Sequence, residues 1–195
     1  MKTTFYLARH GETTWNKEQR FQGQLDSELT ALGRAQSKNL ADMLNQESID
    51  IILTSSLGRA VATATICQKA LSASIEINPN LSERNLGDWQ GKLLAQLKNS
   101  DSYEQILHQF SNQAPVGGES AITCAMRITK ALVDSASFAP KKNHLVIFHG
   151  EALRCFLLSL GEQCKGNAYH LFKNGCLSKL VYDHHSKAFQ YCAFK

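Results

Sequence analysis

Short apolar runs alternate with stretches of helical period along most of this chain, and that alternation leaves few folds open. The strand-like runs are Thr3–Ala8, Ile49–Leu53, Ile75–Ile77 and Leu145–Phe148. Tyr6–Ala8, Ile51–Leu53 and Leu145–Phe148 are unbroken apolar stretches, as expected of strands covered on both faces. Helix-like segments lie between them. Thr30 reads as a cap before Leu32, Ala35, Leu40, Met43 and Leu44 at near-helical spacing. Arg59–Leu71 is rich in Ala and Thr; Ser120 caps a segment with Ile122, Met126, Thr129 and Val133 on one face; Ala152–Leu160 follows the fourth run. Residues 84–118 lack strong periodicity apart from a helix expected over Tyr103–Phe110, and end in the loop signal Pro115-Val116-Gly117-Gly118. Leu177–Tyr182 and Ala188–Ala193 flank Asp183-His184-His185-Ser186-Lys187 and read as an antiparallel hairpin. The expectation is an α/β fold: a three-layer αβα sandwich with a mostly parallel central sheet, helices on both faces and a C-terminal antiparallel hairpin. A length of 195 residues fits a single domain over 1–195, with residues 84–118 as a lid or substrate-specificity insertion.

Bulk properties narrow the partners. A net charge of +4 suits an anionic substrate and is too weak to argue for nucleic acid. No run of about 18 apolar residues is present, so no membrane span is expected. Arg9, His10 and Glu12 interrupt the N-terminal apolar run too early for a signal peptide, which makes the cytoplasm the expected location. The six cysteines, Cys67, Cys124, Cys155, Cys164, Cys176 and Cys192, form no CxxC or zinc-finger pattern and are expected reduced and mostly buried. His184-His185 is expected in a solvated turn. Both a monomer and a homodimer are compatible with the chain.

Chemistry concentrates where the apolar runs end. In an open α/β sheet, ligands bind beyond the carboxyl ends of the strands. His10 follows the first run, with Arg9 beside it and Gly11 expected to let a ligand approach the backbone. An arginine that grips phosphoryl oxygens next to an imidazole that attacks is a workable phosphoryl-transfer pair. Arg59 stands at a strand-to-helix junction after the second run, where its fork and the helix N-terminus both favour phosphate. Glu83 follows the third run. A carboxyl held beside a phosphate dianion has its pKa raised and can protonate a leaving alkoxide; Glu12, Asp88 and Glu119 are rival acids. His149-Gly150-Glu151 follows the fourth run and offers a second imidazole to a phosphoryl oxygen. Asn16 and Phe21-Gln22-Gly23 add a side-chain amide and backbone N–H groups for an anion nest. Each feature alone has an ordinary structural explanation. Two arginines, two histidines and an acid at successive strand ends point jointly to phosphate chemistry.

The motifs Arg9-His10-Gly11-Glu12-Thr13, Asn16, Phe21-Gln22-Gly23-Gln24-Leu25-Asp26, Leu29-Thr30-Ala31-Leu32-Gly33, Ser56-Leu57-Gly58-Arg59-Ala60, Leu81-Ser82-Glu83-Arg84-Asn85-Leu86-Gly87-Asp88-Trp89-Gln90-Gly91 and His149-Gly150 stand in this order. From Leu7 through Arg154 the chain resembles the histidine phosphatase superfamily, also called phosphoglycerate mutase-like. The resemblance implies that His10 is the nucleophile and becomes phosphorylated. Arg9, Arg59 and His149 would bind the phosphoryl oxygens, with Asn16, Gln22, Gly23 and Gly150 nearby. Glu83 would donate the proton and then activate water. No metal and no cofactor is implied.

The family holds phosphatases and mutases. Arg9 to Phe21 and Gly117-Gly118-Glu119-Ser120 look like cofactor-dependent phosphoglycerate mutases. Against that, Asn85-Leu86-Gly87 replaces the mutases' His-Tyr-Gly, and no arginine lies between Arg84 and Arg127, where they carry an adjacent pair. A mutase must exclude water from its phosphohistidine, and a short, arginine-poor lid favours hydrolysis. The expected function is a metal-independent phosphomonoesterase acting on a small phosphorylated metabolite. The compact length and Gly-Asp-Trp-Gln-Gly resemble the α-ribazole phosphatase branch, which makes α-ribazole 5'-phosphate a candidate. A phosphoglycerate mutase and a non-catalytic phospho-ligand-binding domain are the alternatives. Arg84, Trp89 and Lys92, with Tyr103 and His108, are the candidates for substrate specificity.

Overall fold

The computed structural model describes residues 1–99, 101–162, 164 and 168–193. The elements run β1 (Lys2–Arg9), α1 (Thr14–Lys17), α2 (Ala31–Met43), β2 (Ile51–Thr54), α3 (Gly58–Leu71), β3 (Ser74–Ile77), α4 (Leu94–Leu97), α5 (Asp101–Leu107), α6 (Ala121–Phe138), β4 (Asn143–Phe148), α7 (Gly150–Ser159), α8 (Ala168–Leu171), β5 (Leu177–Asp183) and β6 (Ala188–Ala193). Single 3-10 turns cover Pro79–Leu81 and Gly87–Trp89. The caps follow from the sequence. The Thr30 hydroxyl accepts from the Gly33 N–H to open α2, and Ser120 accepts from Thr123 to open α6.

One six-stranded sheet has the order β3-β2-β4-β1-β5-β6. β3, β2, β4 and β1 are parallel; β5 is antiparallel to β1, and β6 to β5, which is the expected terminal hairpin. Apolar side chains explain the order. β1, β2 and β4 are covered on both faces, as their unbroken hydrophobicity requires. On one face Tyr6, Ala8, Ile52, Leu145 and Ile147 pack against α2 and α3. On the other Phe5, Leu7, Leu53, Val146 and Phe148 pack against α6 and α7. The neighbours β1 and β4 therefore send the chain to opposite faces, and a crevice opens at their carboxyl ends, where Arg9 pairs in register with Phe148. A third, smaller cluster belongs to residues 84–118 together with Phe21: Leu86, Trp89, Leu97, Tyr103, Ile106 and Leu107, with Leu94 packed against them.

Some expectations are corrected. Ile122, Met126, Thr129 and Val133 do share a face of α6, but it points outward, and Met126 is 68% exposed. The buried face is Ala121, Cys124, Ala125, Ile128, Ala131, Leu132 and Ala136. Small side chains let α6 approach the sheet and α7 closely, so the larger residues stay outside. For α2 the same logic leaves Leu32 and Met43 at 54% and 49% exposure, while Gly33, Ser37, Leu40 and Ala41 face inward. The six cysteines are free; Cys67, Cys124, Cys155 and Cys164 are buried. His184 is half-buried, its Nε2 lying 2.8 Å from the Thr3 hydroxyl, rather than solvated. Among the described residues, no helix is long and apolar enough to cross a membrane.

Candidate active site

His10 is the first residue past β1, 2% exposed, and its backbone N–H bonds the Phe148 carbonyl at 3.0 Å. Its Nδ1 lies 2.8 Å from the Gly11 carbonyl. A carbonyl can only accept, so Nδ1 carries the proton and Nε2 keeps its lone pair. Arg59 Nε donates to that Nε2 at 3.2 Å. Burial first, then the charges of Arg59 and Arg9, hold the His10 pKa well below 6.5. The imidazole is thus neutral, with its Nε2 lone pair beneath a guanidinium.

Gly11 has a different role from the one expected. A Cβ there would stand 2.3 Å from the Gly33 carbonyl oxygen, and a Cβ on Gly33 would stand 2.0 Å from the Glu12 carbonyl oxygen. The two glycines let α2 seat directly on the loop that carries His10. Glu12, a rival acid, is consumed in the same joint, accepting from the Thr30 hydroxyl at 2.7 Å.

Arg59 is the second residue of α3. Its Nη1 donates to the Leu25 carbonyl at 2.7 Å and to Asp26 at 3.1 Å, and its Nη2 donates to the Gly23 carbonyl at 2.7 Å. The loop after Phe21 therefore aims the guanidinium, with Gly23 at a φ of 52°. Arg9 is buried, and its Nη1 donates to the Phe172 carbonyl at 2.6 Å. Asn16 shares a capping box with Thr13, and Asn174 donates both to Asn16 and to the His10 carbonyl. Gln22 donates to Thr13 and accepts from Ser27.

His149 caps α7 and is completely buried, its ring centroid 5.2 Å from that of His10. Burial, then Arg59, His10 and Arg9, keep it neutral, its pKa well below 6.5. The Ser55 hydroxyl lies 2.7 Å from His149 Nε2 and accepts the Leu57 N–H at 3.3 Å. With Ser55 donating its own proton to Nε2, the imidazole proton would stand on Nδ1. That Nδ1 is buried with no hydrogen-bond partner among the described residues, as a donor facing a ligand site would be.

Glu83 sits at the N-terminus of α7. Its Oε1 accepts from the Arg84 and Ala152 N–H groups, both at 2.7 Å, and its Oε2 accepts from Glu151 at 3.2 Å. These donors and Arg59 favour the charged form, but burial prevails, aided by Glu151, and the pKa is raised. Asp88 pairs with Lys92 and Glu119 with Arg127, so neither rival acid serves the cleft.

Arg9, His10, Asn16, Gln22, Gly23, Arg59, Glu83 and Gly150 line one cleft. Its opposite wall is Phe21, Leu86, Leu94, Tyr103 and Leu107. Arg84 is not on that wall. It is buried and donates to the carbonyls of Glu119, Ile106 and Gln113, because an arginine inside a small apolar core needs every N–H satisfied. Trp89 stands behind the wall, stacked on Tyr103. Lys92 is half-exposed beside Asp88, and His108 is bonded to Glu104. Among the described residues no cluster of three or more His, Cys, Asp or Glu suits a metal ion. Asp26 lies inside a quoted motif, but the sequence assigns no role to Asp26, Ser55 or Asn174. Their only signal is proximity to partners far away in the chain, which a single sequence does not carry.

Comparison with known proteins agrees with this geometry. The model of the histidine phosphatase superfamily (branch 1) matches residues 5–194. The probable phosphoglycerate mutase GpmB of Photorhabdus laumondii is 33% identical over 184 residues, covering 92% of this chain and 85% of that protein. A solved mycobacterial glucosyl-3-phosphoglycerate phosphatase has a TM-score of 0.84 at 27% identity, covering 98% of both chains. A putative α-ribazole-5'-P phosphatase from Escherichia coli has a TM-score of 0.81 at 26% identity, covering 99% of this chain and 96% of that one.

Proposed function

Because the chain belongs to the histidine phosphatase superfamily, we propose that it is a phosphomonoesterase that hydrolyses a small phosphorylated metabolite through a phosphohistidine. One observation carries the proposal: the His10 Nε2 lone pair is held unprotonated under Arg59 in the cleft that Glu83 also lines. When the phosphoryl group enters, the Arg59 and Arg9 donors turn to its oxygens and His149 Nδ1–H joins them. Nε2 attacks phosphorus; the N–P bond forms as the ester P–O bond breaks. The leaving alkoxide takes the proton of Glu83. The Glu83 carboxylate then removes a proton from water, whose oxygen attacks phosphorus as the N–P bond breaks, restoring neutral His10 and protonated Glu83. Charge on the phosphoryl oxygens is met by fixed cations throughout, the main source of rate for this class of reaction.

The leaving group faces Phe21, Leu86, Leu94, Tyr103 and Leu107. A phosphoglycerate carries a carboxylate, and its mutase must also hold a second phosphate. Among the described residues, Arg9 and Arg59 are the only Arg or Lys lining the cleft, and both stand at His10. The apolar wall favours a neutral, carbon-rich leaving group, and α-ribazole 5'-phosphate fits that description. The mutase remains the second reading because the curated relatives bear that name.

Hydrolysis of an aryl phosphate in excess chelator, for wild type and His10→Ala, tests the proposal. Turnover that survives chelation and is lost in His10→Ala is the expected result. Interconversion of phosphoglycerates without hydrolysis assigns the mutase; phosphate binding without any turnover assigns a binding domain.

A further inference from the structure

Resting on that function, we infer that Glu151 is a positioning residue for the proton donor Glu83, acting through a buried Arg84–Glu151–Arg154 ion cluster. The backbone N–H groups of Arg84 and Glu151 both donate to the Glu83 carboxylate. The side chains of the same two residues face each other, with Arg84 Nη1 at 3.6 Å from Glu151 Oε2. Backbone bonds and side-chain pair thus close a ring around Glu83, joining residues 84–118 to the first turn of α7. Arg154 completes the cluster. Its Nε donates to Glu151 Oε1 at 3.1 Å and its Nη2 to Oε2 at 3.0 Å.

Glu151 lines the cleft, but its carboxylate is taken up by two buried guanidinium groups, Arg84 and Arg154. Its role is electrostatic and geometric. The charged groups acting on Glu83 are Arg59 from α3, Glu151 from α7 and Arg127 from α6, whose Nη2 donates to the Glu83 carbonyl at 3.0 Å, while the Arg84 and Arg154 guanidinium groups reach it through Glu151. Arg9 and His10 line the same cleft, and the His149 ring lies 5.2 Å from that of His10. Of these groups only Glu151 is negative, so it alone opposes ionisation of the donor.

The test is the alkaline limb of kcat/KM, which ends at phosphoryl transfer to His10 and reports the donor's protonation. Two esters are compared: an alkyl phosphate, whose alkoxide needs a proton, and a nitrophenyl phosphate, whose weakly basic leaving group does not. Glu151→Gln leaves the guanidinium groups unopposed, and the limb for the alkyl ester moves down by about one pH unit. The alkyl ester then loses about tenfold more kcat/KM than the aryl ester above that limb, as one unit of donor affinity implies. Arg154→Met moves the limb the opposite way, and the double variant returns it towards wild type. If one single variant fails to fold, the sign of the other decides. Equal losses on both esters with an unmoved limb overturn the inference in favour of a merely structural cluster; an unchanged enzyme overturns it too. Glu83→Gln separates the two levels. If it fails to discriminate between the esters, the assignment of Glu83 is wrong. If it discriminates while the limb ignores Glu151 and Arg154, only the inference about the cluster falls.

Discussion

Ser55→Ala removes one hydroxyl and tests how the second imidazole is prepared. Ser55 is buried, and its oxygen serves two partners, the Leu57 N–H at 3.3 Å and His149 Nε2 at 2.7 Å. Alanine leaves both without a hydrogen bond, a stability loss of about 1–3 kcal/mol. The catalytic effect comes on top of this. Losing a transition-state donor outright costs about 2.7–4 kcal/mol. Ser55→Ala keeps the imidazole and frees only its proton to move to the other nitrogen, so about half that penalty is expected. Some 1.5 kcal/mol corresponds to about tenfold in kcat/KM. The assay is aryl phosphate hydrolysis by wild type, Ser55→Ala, His149→Ala and the double variant. If Ser55 acts through His149, the tenfold effect vanishes in the His149→Ala background. Additive losses, or a Ser55→Ala enzyme as fast as wild type, refute the tautomer argument.

His10 and His149 are buried and neutral, with folded pKa values below their unfolded ones, so the unfolded chain takes up protons that the native state refuses. Their two protons should make stability fall as pH drops through about 6.5, by at most about 2.7 kcal/mol per unit, and His144, also buried with a lowered pKa, adds to the fall. Glu83, with its raised folded value, binds a proton in the native state and offsets part of this; urea midpoints at successive pH values read the sum. Gly11→Ala forces a methyl group against the backbone of Gly33 and should cost about 1–3 kcal/mol or more, seen as a lowered Tm together with lost activity as His10 shifts. Leu94→Arg places a cation on the apolar wall and should move the preference between acidic and neutral phosphate esters by about tenfold in kcat/KM towards the acidic ones, a new charge-assisted bond being worth about 1.5 kcal/mol or more.

Much of the site was legible because the parallel sheet converts sequence position into spatial position. Arg9, His10, Arg59, Glu83 and His149 all follow apolar runs, and a residue after such a run lands at the crevice. The failures have physical causes of their own. The outward stripe of α6 was misassigned because hydrophobicity favours Ile122, Met126 and Val133, whereas close helix packing favours the alanines and Cys124. Gly11 was credited to a ligand, but backbone meets backbone there. Arg84 looked like a substrate contact, since an arginine after a catalytic acid invites that role. Its carbonyl partners lie 22, 29 and 35 residues away, beyond any local pattern.

The separate small core of residues 84–118 bears on how such a protein changes over generations. The sheet and its two large cores fix His10, Arg9 and Arg59, while a handful of side chains from another layer forms the apolar wall of the cleft. On the proposed function, substitutions among Leu86, Leu94, Tyr103 and Leu107 redraw the acceptable alcohol while the chemistry at phosphorus is inherited intact. Divergence in diet without divergence in reaction is what this division of labour permits.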